Sequence, residues 1–423
     1  MRNLLPRTLG AVLAVPLMLG GALAVAAPAT ASPAAGAPTD AAASVATIDP
    51  GKIPETPCVT APRVKVSTGA VFSDPLRNRA GAVAERLCSY FKQADRGSTI
   101  SLGAFVISGK AGEDYVDQLV AAYRRGVNVQ VVMDGWQISK APAARLIDQL
   151  GTDTGSGSWV AVCSHTSPEG DTSSCQGTKG MHNKFALFSS LSGQKDVVVQ
   201  SSANVTDVNH VSYWNNALTV TGDRGLYRAY RSYHADLAAM KQDPDYHRTV
   251  TSRGPSGVSV ARFFPVATAD PVEERLSTLR CVPGHTRIAV GMSEWDDTRV
   301  GIVQELARLK RQGCRVSVVA GPLGEQVSST LDNAGVPHRN LEDEKATGRL
   351  HSKYLVVSGA RDSASPKGNR GDASFVFTGS HNYNFTSLRR NDEAVLELHN
   401  HSVVKQYFAN SDRLWQVSLS PTA

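Results

Sequence analysis

"YVDQLVAAYRRGVNVQVVMDG" occupies residues 115–135. Its apolar residues recur at helical spacing and end in two arginines. Gly126 then stands where a helix C-cap glycine belongs. A Val-rich strand follows at once, and "STISLGAFVISG" (98–109), another apolar strand breaking at small polar residues, comes before. Strand, helix and strand without spacers make a β-α-β unit with a crossover helix. The chain writes the unit again. "TRIAVGMSEWDD" (286–297) precedes "VGIVQELARLKRQGCRVSVVAGP" (300–322), with Gly313 as the second C-cap. Gly103 to Gly126 spans 23 residues and Gly291 to Gly313 spans 22, so the copies stay in register. The fold class expected is α/β, with two pseudo-twofold-related halves built on mixed, largely parallel sheets.

Each unit is followed by a second repeated pattern. "HNKFALFSSLSGQKDVVVQSSANVT" runs from His182 to Thr206, and "HSKYLVVSGARDSASPKGNRGDASFVFTGSHNYN" runs from His351 to Asn384. Both open His-x-Lys, pass through two apolar runs that read as strands, and finish with Ser-x-Asn. A further short strand, "NALTV" or "EAVLEL", closes each half. The longer second copy carries "GARDSASPKGNRGD", which reads as an exposed loop between strands. Side chains two apart on a strand share a face. His182 and Lys184 therefore point one way, as do His351 and Lys353, and Asn204 and Asn382 can reach the same sides. If the halves fold together, two imidazoles, two ammonium groups and two amides converge. That set suits a phosphate diester. Lysines and amides hold the non-bridging oxygens, one His attacks phosphorus and the other protonates the leaving oxygen. A lone His-x-Lys arises easily by chance, but two at matched places in matched halves do not.

The ends and the cysteines speak to location. Arg2 and Arg7, an apolar run from Leu9 to Ala27 and Ala29-Thr30-Ala31 read as a secretory signal peptide over 1–31. A membrane anchor fits less well, because Gly20, Gly21 and Pro28 break the run and no basic cluster follows it. Residues 32–57 are Ala, Pro, Thr and Ser with little to bury, a disordered leader. The body then divides into halves at 58–252 and 258–423, joined near "SRGPSG" (252–257). The signal peptide carries two arginines and no acid, so the formal charge of +6 falls to +4 after cleavage. That mild excess permits anionic partners without demanding nucleic acid. Cys58, Cys88, Cys163, Cys175, Cys281 and Cys314 are even in number and form no Cys-x-x-Cys pair. Sequential pairing keeps each bridge local and is expected. The mature chain is expected outside the cell, a monomer without a transmembrane segment.

The two segments resemble the paired signatures of the phospholipase D superfamily, whose usual form is H-x-K-x4-D followed by G-S-x-N. His182, Lys184, Ser202 and Asn204 fit the first copy. His351, Lys353, Gly379, Ser380 and Asn382 fit the second. The motif Asp is replaced by Ser189 and Ser358, and Ser201-Ser202 stands where Gly-Ser is common. Such Asp-less motifs resemble tyrosyl-DNA phosphodiesterases and some nuclease-type members. The resemblance implies a phosphohistidine intermediate with no metal and no cofactor, with His182 as nucleophile and His351 as general acid. Ser202 and Ser380 are expected to bind substrate. Glu393, 11 residues after Asn382, lies where the family tends to place a carboxylate that orients a catalytic His, and the first half offers Asn215 or Asn216 instead. Which His the Glu reaches is left open. Phospholipid at a membrane surface is the first substrate expected and nucleic acid the second; a non-catalytic anion- or wall-binding protein is a third class. Trp136, Trp214, Trp295 and the Cys163–Cys175 loop with His165 are rim candidates. Arg349, Lys367, Arg370, Arg389 and Arg390 could make the second half's rim basic.

Overall fold

The computed structural model describes residues 48–52, 57–364 and 373–418. The segment 1–31, most of the leader, Lys367 and Arg370 lie outside them.

Two sheets carry the fold. The first holds β1 (Gly69–Phe72), β2 (Thr99–Ala104), β3 (Asn128–Met133), β4 (Trp159–Val162), β5 (Lys184–Leu191), β6 (Gln194–Ser201) and β7 (Asn216–Val220), in the order β1-β7-β6-β5-β2-β3-β4. The second contains β8 (Arg248–Gly254), β9 (Gly257–Phe264), β10 (Arg287–Met292), β11 (Arg315–Ala320), β12 (His338–Asn340), β13 (Lys353–Asp362), β14 (Ala373–Gly379) and β15 (Glu393–His399). Its order is β8-β9-β15-β14-β13-β10-β11-β12. The run β7-β6-β5-β2-β3-β4 thus matches β15-β14-β13-β10-β11-β12 strand for strand, as the repeat requires.

Within the two sheets, parallel pairing is confined to β2-β3-β4 and β10-β11-β12, the strands of the β-α-β units and their neighbours. The remaining ladders are antiparallel, a larger share than expected. The cause is local in β5-β6. Ser192 and Gly193, at φ 49° and 78°, form a two-residue turn that sends the chain straight back. The expected junction near 252–257 is also a hairpin turn, since β8 pairs with β9 down to Gly254–Gly257. Both strands lie in the second sheet, so the chain changes sheet before residue 248.

The crossover helices α1 (Gly109–Arg124) and α3 (Val300–Arg311) cover the outer faces, while α2 (Arg224–Ala238) and α4 (His401–Val417) pack between the sheets. One buried cluster joins the halves. Phe185, Trp214 and Tyr230 share it with Phe263, Tyr354 and Tyr407. Because both sheet faces are buried, the strands read as Val-rich runs rather than as alternations. Gly103 and Gly291 occupy one role twice. A Cβ there would lie 2.6 Å from the Phe185 ring and 2.7 Å from the Tyr354 ring, the residues directly opposite in the ladders. The six cysteines pair sequentially, with Cα separations of 5.0 Å (58–88), 4.6 Å (163–175) and 5.4 Å (281–314). Among the described residues no helix is long and apolar enough to cross a membrane.

Candidate active site

β5 opens at Lys184 and β13 at Lys353, so each motif His stands two residues ahead of its strand, at the sheet's end. The opposite half holds each of them there. The His182 amide donates to the Asp392 carbonyl at 3.0 Å, and the His351 amide to the Trp214 carbonyl at 2.9 Å. Asp392 and Trp214 immediately precede Glu393 and Asn215. The side chains follow the same crossed pattern. His182 Nδ1 lies 2.8 Å from Glu393 Oε1, and the Ser380 hydroxyl donates to the other oxygen of that carboxylate. His351 Nδ1 lies 2.8 Å from Asn215 Oδ1, and the Ser202 hydroxyl donates to the same amide oxygen at 3.0 Å. With both Nδ1 atoms facing acceptors, Nδ1 carries the proton and Nε2 presents its lone pair.

The open questions about partners close here. Glu393 reaches His182 across the pseudo-twofold, and Asn215 rather than Asn216 is its counterpart. Asn216 instead donates to Thr378 Oγ1 and the Tyr407 hydroxyl, at 2.7 and 3.0 Å. Ser202 and Ser380, expected to bind substrate, instead serve the partners of the two histidines. Both are fully buried, and their hydroxyls also accept from the amides of Asn216 and Ala394. They fix Asn215 and Glu393 in place and do not face a substrate.

Lys184 Nζ donates to the His182 carbonyl at 2.6 Å and Lys353 Nζ to the His351 carbonyl at 2.7 Å. Both lysines are buried. Burial disfavours the charged form of every base here. It pushes Lys184 down to about 7, against the pull of Glu393 and Asp134. Lys353 falls well below its ordinary value through burial and the Lys184 charge. Burial takes His182 to about 4 although Glu393 opposes it. His351 goes well below the usual range, through burial and then the charges of Lys353, Lys184 and His182. Burial raises Glu393, but His182 and Lys184 outweigh it and hold the carboxyl near 2. His182, Lys184, His351 and Lys353 act on one another electrostatically, and Glu393 acts on three of them, so the charged groups of both halves lie close together. The Asn204 and Asn382 amide oxygens are buried without a hydrogen-bond partner. Only the NH2 end of each amide could meet an anion, whereas the buried lysines offer N–H donors to one directly.

Several residues had no clear signal in the sequence. Phe105 sets its ring 4.7 Å from His182, with Lys184 Nζ 4.8 Å from the ring centre and Trp136 6.4 Å away. Tyr213 lies 5.4 Å from His351 and donates its hydroxyl to Glu344 at 3.0 Å. Two buried carboxylates pin the Cys163–Cys175 loop and the turn leading into His182. Asp134 accepts from the amides of Trp136, Ser173 and Met181, and Asp392 from Cys175, Gln176 and Gly177. Burial raises their carboxyls to about 6 and about 7. Aligning "YWNNAL" on "NDEAVL" would have exposed Asp392 as the residue before the orienting acid.

Other candidates sit elsewhere. His165 binds the Met240 carbonyl at 2.7 Å, a loop role. Trp214 and Trp295 are buried, with their indole N–H groups on the carbonyls of Thr347 and Arg299. Arg389 donates to the carbonyls of Val266, Thr268 and Ala269, and Arg390 pairs through both terminal nitrogens with Glu169. Neither is a free rim charge. Arg349 packs on Tyr213 beside the site. Among the described residues, Cys163, Cys175 and Asp392 are grouped closely enough for a metal, but the sulfurs are bonded to each other and the carboxylate is filled by amides.

The family model described as "Cardiolipin synthase, PLD-like domain" matches residues 87–238 and 284–415, well over half of the chain and parts of both halves. No curated protein matches by sequence. Among solved structures, phosphatidylserine synthase of Haemophilus influenzae Rd KW20 aligns at 11% identity and a TM-score of 0.52, over 82% of this chain and 85% of that one. Polyphosphate kinase of Porphyromonas gingivalis aligns at 12% identity and 0.49 over 82% of this chain, which spans 50% of the kinase. Nuc of Salmonella typhimurium, a phospholipase D family member, is covered to 98% by 39% of this chain, at 16% identity and 0.29.

Proposed function

The chain belongs to the phospholipase D superfamily, and from that premise we propose that it is a secreted phosphodiesterase that cleaves phospholipid headgroup esters through a phosphohistidine. The observation that carries this reading is the crossed pairing of His182 with Glu393 and of His351 with Asn215. It prepares an Nε2 lone pair on each imidazole and gives only one of them a carboxylate behind it.

His182 Nε2 attacks phosphorus, forming the N–P bond as the bond to the leaving oxygen breaks. The Glu393 carboxylate offsets the positive charge that develops on the ring. The diester's own negative charge opposes the burial that keeps His351 neutral. His351 therefore takes up a second proton with substrate bound and gives it to the leaving alcohol. In the second step His351 takes a proton from water as the water oxygen attacks phosphorus, and His182 departs. Lys184, Lys353, Asn204 and Asn382 hold the non-bridging oxygens, the task a Lewis acid performs in two-metal enzymes.

Lipid is favoured over nucleic acid by the first half's rim. Trp136 and Ile138 are 43% and 59% exposed, and Trp136 packs against the Phe105 that touches His182. Arg389 and Arg390, which could have followed a nucleic-acid backbone, are engaged with protein. Export is supported by the signal-like N-terminus and three disulfides. The test is the mature protein in EDTA with phosphatidylcholine vesicles, single-stranded DNA, RNA and a chromogenic diester. Headgroup release without nucleotide release is expected. Nucleotide release alone would replace the lipid reading with a nuclease, and inactivity in EDTA restored by a divalent ion would overturn the metal-free mechanism.

A further inference from the structure

Beyond the Glu393–Asn215 difference, the two halves depart from each other at a second charged position beside the site. Ala104 pairs with Lys184 in the first sheet and Met292 with Lys353 in the second. Two residues on, the Val106 carbonyl accepts from the Val205 amide at 2.9 Å, and the Glu294 carbonyl from the Tyr383 amide at 3.0 Å. Val205 and Tyr383 each follow the motif Asn. Val106 and Glu294 therefore hold equivalent backbone places, each beside its half's Lys and Asn. Val106 is buried and lines a small apolar recess with Phe105, Lys184 and Asn204. Glu294 is half-buried, and its charge acts on Lys353. Among the described residues no hydrogen bond or ion pair engages its carboxylate.

An unpaired carboxylate beside a hollow that takes an anion weakens the binding of bare phosphate. A positive charge on the same ligand offsets that cost. We propose that Glu294 is a specificity-determining residue that receives a cationic group on the leaving alcohol, so that the diester binds in one direction. The proposal rests on the phosphodiesterase reading above. In-line displacement puts the leaving oxygen opposite the attacking nitrogen, on the side of His351, and that is the half that carries Glu294. The side of His182 presents Phe105, Val106 and Trp136 instead, an apolar wall for the part of the substrate that stays on phosphorus. A lipid with an amino-alcohol headgroup has this polarity.

The experiment compares headgroup release from phosphatidylcholine and phosphatidylglycerol, presented in identical vesicles, by the wild type, Glu294→Gln and Glu294→Asp. The wild type should prefer choline, and Glu294→Gln should lower the ratio of the two kcat/KM values about tenfold, with Asp retaining most of it. Loss of the Lys353 counter-charge would change both rates together, so an unaltered ratio overturns the proposal, as does a wild type without preference. Should Glu294→Gln fail to fold, inhibition of the wild type decides. Phosphocholine should inhibit at about tenfold lower concentration than glycerol 3-phosphate, and equal inhibition overturns the proposal. A wild type that cleaves DNA and neither lipid defeats the lipid reading itself, and the Glu294 proposal with it.

Discussion

His182 and His351 stand in mirrored places, each held through its amide by the opposite half and each with a buried lysine two residues on. They differ in what lies behind Nδ1. A buried carboxylate backs His182, and a neutral amide backs His351. A carboxylate stabilises the cation formed when Nε2 takes phosphorus, whereas an amide fixes the tautomer and adds no charge. On the proposed mechanism, this carboxylate-for-amide difference gives a symmetric scaffold its direction. Pseudo-symmetry places the groups, and departures from it distinguish them.

The largest test of that assignment removes each imidazole in turn. His182→Ala should lose about a thousandfold or more on every diester, since no attacking nitrogen remains. His351→Ala should lose about as much on an alkyl ester, yet retain substantial turnover of a p-nitrophenyl diester, whose leaving group needs no proton. Acid-quenched His351→Ala should carry phosphate on protein. Phosphate trapped in His182→Ala instead would exchange the roles.

Next come the partners. Glu393→Gln should slow turnover about a hundredfold, while Asn215→Asp should alter it by about tenfold or less. The second change gives His351 a carboxylate, so it should also raise the pH at which His351 loses its proton. Equal losses at the two positions would show that both partners only orient their rings.

The lysines give a pH test. Lys184 sits near 7, so kcat/KM should fall as pH rises above about 7 and the ammonium is lost. Lys184→Arg should push the Lys184 contribution to that limb upward, because guanidinium stays charged. An alkaline limb that is unmoved in the variant would show that Lys184 is not the titrating group.

The smallest effect is on stability and should be shared by both halves. Burial holds His182 and His210 near 4 and His234 and His381 near 3, with His351 also far down. Between those values and about 6.5, the unfolded chain binds protons that the folded chain does not, so stability falls as pH drops through that window. Asp134 and Asp392, raised to about 6 and 7, work in the opposite direction but are fewer. The urea midpoint should therefore be lower at pH 5 than at pH 7, in one transition, because a single cluster spans both sheets. Two separate transitions would show that the halves fold independently.

The sequence by itself determined what is local and repeated. Strand and helix periods, the C-cap glycines and the spacing from His-x-Lys to Asn identify the two halves and their six shared candidate residues, because these patterns depend on neighbours a few positions apart. Only the tertiary structure decided the crossed partnerships. Glu393 lies 211 residues from His182, and Asn215 lies 136 from His351. No periodicity reports a contact of that kind, and Asn215 and Asn216 look alike in "WNNAL" although adjacent strand residues face opposite ways. The same reason explains the serines and arginines. Ser202 and Ser380 read as substrate contacts until burial turned them toward Asn215 and Glu393. Arg389 and Arg390 read as a basic rim until folding brought carbonyls and Glu169 to them. Whether a polar side chain faces substrate or protein depends on which distant groups arrive beside it, and packing of the two sheets sets that.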